Sequence, residues 1–176
     1  MSILAMYEAR DWRCPARVLT HLEDIGAALS DSGLVLLQLP GPQAETQSEW
    51  QAQAQQRIAA QGLPVPQQLA AHQPRGQPGY AATSTQLQAD QIRVSVGQWL
   101  LLCAGQARFC VSDGAHALLL AAAPGDLLWI PAGREWALEP AAGVQCCWLA
   151  LAAAEPALND APPAQSKLSE LQLLDI

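Results

Sequence analysis

The sequence predicts a mainly β fold with helices at its N-terminal end, the strands wrapped into a small double-sheet jelly-roll barrel. Three observations carry this. From about residue 81 onward, short apolar runs follow one another closely, most of them separated by glycine turns. The first third of the chain instead carries helix-start signals followed by helical periodicity. And 51% of the residues are hydrophobic against 14% charged, enough apolar side chain for one sizeable core in 176 residues.

The elements follow in order. Thr20-x-x-Glu23 is a capping box, Leu22, Ile25, Ala28 and Leu29 recur at helical spacing, and Gly33 ends the run, which predicts a helix over 21–31. Gly33 to Leu39 reads as a buried strand closed by Pro40-Gly41-Pro42. Thr46-x-x-Glu49 is a second capping box, and the Ala/Gln-rich run to Gln61 predicts a helix ending at Gly62, with Trp50, Ala54 and Ile58 on one stripe. Residues 63–80, with Pro64, Pro66, Pro74 and Pro78, read as loop with a short helix at 66–72. Strands are expected at 82–88, 91–96, 98–104, 107–112, 116–122, 127–131, 134–138 and 144–152. The turns between them include Ala104-Gly105, Asp113-Gly114, Pro124-Gly125, Ala132-Gly133 and Ala142-Gly143. Residues 153–165 read as an extended tail, and Leu168, Leu171 and Leu174 as a last helix capped by Ser166, docking on the barrel or on another subunit. The organisation is one structural domain: a helical and loop segment over 1–80 packing on a barrel over 81–152, then a tail over 153–176.

The net charge of −7, with few and scattered Lys and Arg, disfavours nucleic acid and anionic membrane surfaces as partners. Charges at Glu8, Arg10, Asp11 and Arg13 rule against a signal peptide at Met1–Arg13, and the longest apolar stretch, Ala115 to Pro124, is too short to span a bilayer. The expectation is a cytoplasmic protein. Five cysteines, Cys14, Cys103, Cys110, Cys146 and Cys147, form no CxxC pair and read as reduced, mostly buried thiols. His21 opens a helix, His72 lies in the Pro-rich loop and His116 follows a hairpin turn, so none pairs obviously with a cysteine or carboxylate. No phosphate loop, Ser-His-Asp order or basic aromatic face is present.

Gly125 to Trp136 reads G-D-L-L-W-I-P-A-G-R-E-W. This resembles the second signature of the cupin barrels, in which a metal-binding histidine stands three residues after the second glycine; here that position is Trp136. With Met1-Ser2-x-Leu4 and Tyr7, Ile58 to Leu63 and Cys103 to Val111, nearly the whole chain resembles the acireductone dioxygenase family of cupins. That family's first motif, H-x-H-x-x-x-E before a glycine, falls on Ile92, Val94 and Gln98 when anchored on Gly105. A substrate-contacting arginine of the family falls on Leu100.

The resemblance implies Fe(II) or Ni(II) chemistry, yet Ile92, Val94 and Trp136 have no lone pair to coordinate with and Gln98 offers only a neutral carbonyl oxygen. The former ligand positions are therefore Ile92, Val94, Gln98 and Trp136, with no metal, no cofactor and no catalytic residue assigned. Leu100, Leu102, Phe109, Trp129 and Trp148 are expected to line the old cavity, and Gln98 to take the Trp136 indole N–H. Arg134 and Glu135 read as a solvated rim, Glu135 pointing away from the Trp136 face.

Three functions follow. The first is a non-catalytic cupin, a pseudoenzyme serving protein interaction, assembly or the binding of an apolar small molecule. The second is a metal-free isomerase, cyclase or lyase using Cys110, Cys146 or Cys147 in the cavity. The third is a retained dioxygenase of methionine salvage with ligands from elsewhere. A homodimer is expected by analogy with other cupins, with Trp12, Trp50, Trp99 and the Leu168–Leu174 stripe as candidate contacts.

Overall fold

The computed structural model describes residues 2–8, 11–40, 46–63, 68–72, 92–113, 115–140, 146–152, 166–171 and 173. The expected strand at 82–88, the Ala142-Gly143 turn, the tail over 153–165, Gly114 and Leu174 lie outside the described residues.

Eleven strands and two α-helices are described: β1 (Ile3–Glu8), β2 (Arg17–Leu19), α1 (Leu22–Asp31), β3 (Val35–Gln38), α2 (Gln47–Ala60), β4 (Gln68–His72), β5 (Arg93–Val94), β6 (Gln98–Ala104), β7 (Ala107–Ser112), β8 (His116–Ala122), β9 (Asp126–Ile130), β10 (Glu135–Pro140) and β11 (Cys147–Ala152). A short 3-10 helix over Lys167–Glu170 follows. One sheet runs β2-β1-β8-β7-β10-β5 and the other β3-β9-β6-β11-β4, and every pairing is antiparallel. This is the expected double-sheet β barrel with N-terminal helices.

The local signals explain most of the ends. Thr46 accepts from the Glu49 backbone N–H while the Glu49 carboxylate accepts from the Thr46 N–H, the full reciprocal cap of α2. Gly33 sits at φ +76 and closes α1, with Leu34 N–H on the Leu29 carbonyl. Thr20 does not cap α1. The chain stays extended through His21, which takes the cap position without a side-chain bond, because β2 holds Leu19 against Leu4. Glu23 and Asp24 in the first turn complement the positive end of the helix dipole instead. Within the expected helix at 66–72, the described residues form β4 (Gln68–His72): the chain adds a strand to the edge of β11, and pairing overrides the helix preference of Ala and Gln. His72 is therefore on a strand, not in a loop.

Among the described residues, buried clusters cover both faces of the central strands of each sheet, which makes three apolar layers. The inner layer, between the sheets, holds Leu4, Leu100, Leu102, Phe109, Leu120, Leu128 and Trp136. Outside the second sheet, Trp50, Ala54 and Ile58 of α2 cover Trp99, Leu101 and Leu127. Outside the first sheet, Leu168, Leu171 and Leu173 cover Tyr7, Cys110 and Leu119. The C-terminal stripe thus docks on its own barrel, with Ser166 capping the 3-10 helix through the Leu168 N–H. Trp12, Trp50, Trp99, Leu168 and Leu171 are core residues of the single chain, so they do not form an exposed contact surface.

Candidate functional site

Strand alternation decides which side chains meet between the sheets. On β6, Gln98, Leu100 and Leu102 share one face, while Trp99, Leu101 and Cys103 turn toward α2. Directly paired residues lie on the same face. Gln98 pairs with Ile130 of β9, an inner-layer residue, so Gln98 faces inward as well. On β10, Trp136 faces inward between Val111 of β7 and Arg93 of β5. Leu100, Leu102, Phe109 and Trp148 take the expected inward positions.

Three expected positions go elsewhere. Ile92 is wholly buried in the outer layer with Tyr7, Cys110 and Leu168. Val94 pairs with Glu135, whose carboxylate accepts from Ser166 of the C-terminal cap, so Val94 also faces outward. The inward position on β5 is Arg93, paired with Trp136, and its guanidinium donates to the Ile92 carbonyl at 3.0 Å. Trp129 is not an inner-layer residue: it packs on Trp99 at 5.6 Å between ring centroids, in the layer under α2. The structure therefore brings Gln98 and Trp136 to the inner face, and does not bring Ile92 and Val94 with them.

Trp136, from one sheet, meets Trp148, from the other, edge to face at 6.0 Å and 81°. This pair spans the inner layer. The expected hydrogen bond between Gln98 and Trp136 is not made. Trp136 Nε1 and Gln98 Nε2 are both buried with no hydrogen-bond partner, in side chains only 6% and 3% exposed. A buried N–H without an acceptor carries an uncompensated desolvation cost of about 1–3 kcal/mol.

At the rim, Ser32, Leu34, Val111, Leu118, Arg134, Asp113 and His116 surround a recess of about 10 Å³, room for one water. Asp113 pairs with Arg134 at 3.2 Å, and His116 Nδ1 lies 3.6 Å from the same carboxylate oxygen. Burial pushes the Asp113 carboxyl up, but backbone N–H bonds from His116 and Ala115 and the nearby His116 and Arg134 outweigh it, so its pKa falls below the ordinary value. Arg134 also donates to the Ser32 carbonyl. The rim is thus internally paired. His116 is 60% exposed, as expected for a loop end.

Two polar residues escaped sequence reasoning. Arg93 was hidden by a motif count that placed its neighbours inward. Asp126 is 1% exposed and accepts from Ser2 Oγ, Gln38 Nε2 and the Ala123 N–H, tying the chain start and β3 to β9. A lone carboxylate opening an otherwise apolar strand was its only signal.

Burial pushes the Cys103 thiol up to about 12 and Cys110 to about 12, and Cys146 to about 11, with neighbouring thiols adding to the shift at Cys103 and Cys146. These thiols stay protonated near neutrality and are weak nucleophiles. In a native-state assay with Ellman's reagent, exposed Cys14 is expected to react at least tenfold faster than Cys103, Cys110 and Cys146, which react on unfolding. Fast labelling of Cys146 in the folded protein would contradict this.

Among the described residues, no three or more His, Cys, Asp or Glu side chains gather where they could hold a metal ion, and no helix is long and apolar enough to cross a membrane. No family model matches the sequence, and no curated protein matches it. Among solved structures, the chain is similar to an acireductone dioxygenase from Bacillus anthracis with a cadmium ion in its active centre. The TM-score is 0.60 at 12% identity, over 88% of this chain and 94% of that one. The fold is the cupin-like barrel of that enzyme.

Proposed function

We propose that this protein is an acireductone-dioxygenase-like cupin without an Fe or Ni site, which acts without catalysis by binding a small, largely apolar molecule between its sheets. The observation that carries this is Trp136. It stands at the resemblance's histidine position, faces inward, and packs its ring on Trp148 across the inner layer. Trp136, Gln98 and Arg93 face the inner layer from the positions nearest the former motif. An indole, an amide and a guanidinium do not fit a borderline metal ion, which takes imidazole and carboxylate.

The other readings have less support. The three histidines are spread over a helix cap, an edge strand and an exposed loop end. The buried thiols are held neutral, which weakens a thiol mechanism.

Elemental mass spectrometry of the purified protein, before and after anaerobic loading with Fe(II) or Ni(II), tests the reading. Well under one metal per chain in both states is expected, with no oxygen consumption on an acireductone. Near one metal per chain, or turnover, would overturn it.

A further inference from the structure

We infer that Cys103 and Cys147 are a site of reversible oxidation, at which a disulfide ties β6 to β11. The site is separate from the inner layer and does not depend on what that layer binds. Strand register brings the two thiols together. β6 and β11 pair antiparallel, with Ala104 opposite Cys147 and Leu102 opposite Trp148, so Cys103 is the extra residue of a bulge. It stands between those two rungs, beside the residue that Cys147 faces. Cys103 belongs to the layer under α2, and half-buried Cys147 packs against the same layer. The two thiols therefore share one face of one sheet, on adjacent strands, and lie within hydrogen-bond reach of each other. Opposed residues of antiparallel strands have Cα atoms about 4.5–5.5 Å apart, and a disulfide joins Cα atoms about 4.4–6.8 Å apart. Neighbouring strands thus already stand at a bridging distance.

The other thiols are set apart from this pair. Cys146 belongs to the inner layer, on the other side of the sheet, and Cys110 to the outer layer of the other sheet. Cys14 is exposed, between β1 and β2. Register and face therefore select one pairing among the five cysteines.

Exposure sets the order of the steps. Cys147 is half-buried and meets the oxidant first, whereas Cys103 is buried and held protonated. The oxidant is a hydroperoxide, small enough to reach a half-buried sulfur. The Cys147 sulfur, its proton given to water, attacks one peroxide oxygen. The O–O bond breaks, the leaving hydroxide takes up a proton as water, and Cys147 becomes a sulfenic acid. The Cys103 sulfur then attacks the Cys147 sulfur. The S–O bond breaks, and the hydroxyl leaves with the Cys103 proton as a second water. Two thiols lose two hydrogens and two electrons, and one peroxide becomes two waters. Nearness offsets the weak nucleophilicity of Cys103 in the second step. A dithiol reverses the reaction by exchange.

The experiment treats the full chain with hydrogen peroxide, then unfolds it in acid, alkylates it and maps its peptides by mass spectrometry, with and without later dithiothreitol. The peptide carrying Cys103 is expected joined to the peptide carrying Cys147, and separated again by dithiothreitol. Thermal unfolding is expected to shift upward by about 5–10 °C on oxidation and to return on reduction, since the bridge closes a long loop. Cys147→Ser is expected to abolish the cross-link and the shift; Cys146→Ser keeps both. Cys103→Ala is expected to leave Cys147 as a sulfenic acid that dimedone captures. Cys147→Ser, at a half-buried position, and the unmutated chain decide the matter even if Cys103→Ala folds poorly. A bridge between Cys146 and Cys147 in place of the expected one would overturn the inference. So would free Cys103 and Cys147 in a sample whose Cys14 is oxidised, or an equal thermal shift in oxidised Cys147→Ser.

Discussion

Ile92→His is expected to destabilise the protein by about 3–5 kcal/mol and to create no metal site. Ile92 is wholly buried in a mostly apolar cluster with Tyr7, Leu119, Leu168 and Leu171. The variant loses the packing of a full aliphatic side chain and buries a ring nitrogen in its place. Against a total stability of about 5–15 kcal/mol, this is a large fraction. The same holds for the complete rebuild, Ile92→His with Val94→His, Gln98→Glu and Trp136→His. Two of its four new side chains point away from the inner layer, so iron or nickel loading should stay far below one per chain. Arg93→His, at a half-buried inward position, is expected to cost about 1 kcal/mol or less. Urea unfolding with metal analysis checks all three. A wild-type midpoint for Ile92→His would show that position 92 does not sit in the outer layer.

That prediction comes from a one-residue difference between counting and folding. A strand turns its side chains over at every residue, so a shift by one exchanges the whole inward set for the outward set. Counting back from Gly105 with the family's spacing lands on Ile92 and Val94. The turn between β5 and β6 intervenes: Ser95 bonds the Ile130 carbonyl and the Gly97 N–H, and Gly97 adopts φ +87. With that turn, Arg93 faces inward and its neighbours face out.

The strand positions themselves were legible. The three expected at 98–104, 107–112 and 116–122 match β6, β7 and β8 to the residue, because Gly97, Gly105 and the Asp113 turn punctuate them. Faces were not legible. Where one face of a strand is wet, polar residues mark it. Here six of the seven residues of β6 are buried, because α2 covers what would be its solvent side. Trp129 and Trp148 look alike in such a sequence, and only the pairing register separates a ring under α2 from one between the sheets. Strands β1 and β4 were missed because their pairing partners, β8 and β11, lie far off in sequence, and local pattern carries no record of them.

Asp126→Ala is the second substitution with a large expected effect, a loss of about 3–5 kcal/mol of stability. Its carboxylate is the one acceptor shared by three donors, two of them distant in sequence: Ser2 Oγ at 2.7 Å, Gln38 Nε2 at 2.9 Å and the neighbouring Ala123 N–H at 2.9 Å. Removing it strands the buried Ser2 hydroxyl and takes the Ala123 N–H and Gln38 amide bonds with it, so the side-chain ties from the chain start and from β3 to β9 are lost. Asp126→Asn should behave differently. Its remaining oxygen can keep Ser2 and Ala123, and the new amide nitrogen faces Gln38, whose own amide can turn over to offer an oxygen. The expected cost is about 1 kcal/mol, the difference between a charged and a neutral set of bonds. Combining Asp126→Asn with Gln38→Leu blocks that rotation and should cost more than the two single changes added together. Thermal unfolding of the four variants decides it. If Asp126→Ala and Asp126→Asn lose the same stability, the carboxylate acts by its charge alone. The graded order, with non-additivity in the double variant, is what a shared hydrogen-bond acceptor requires.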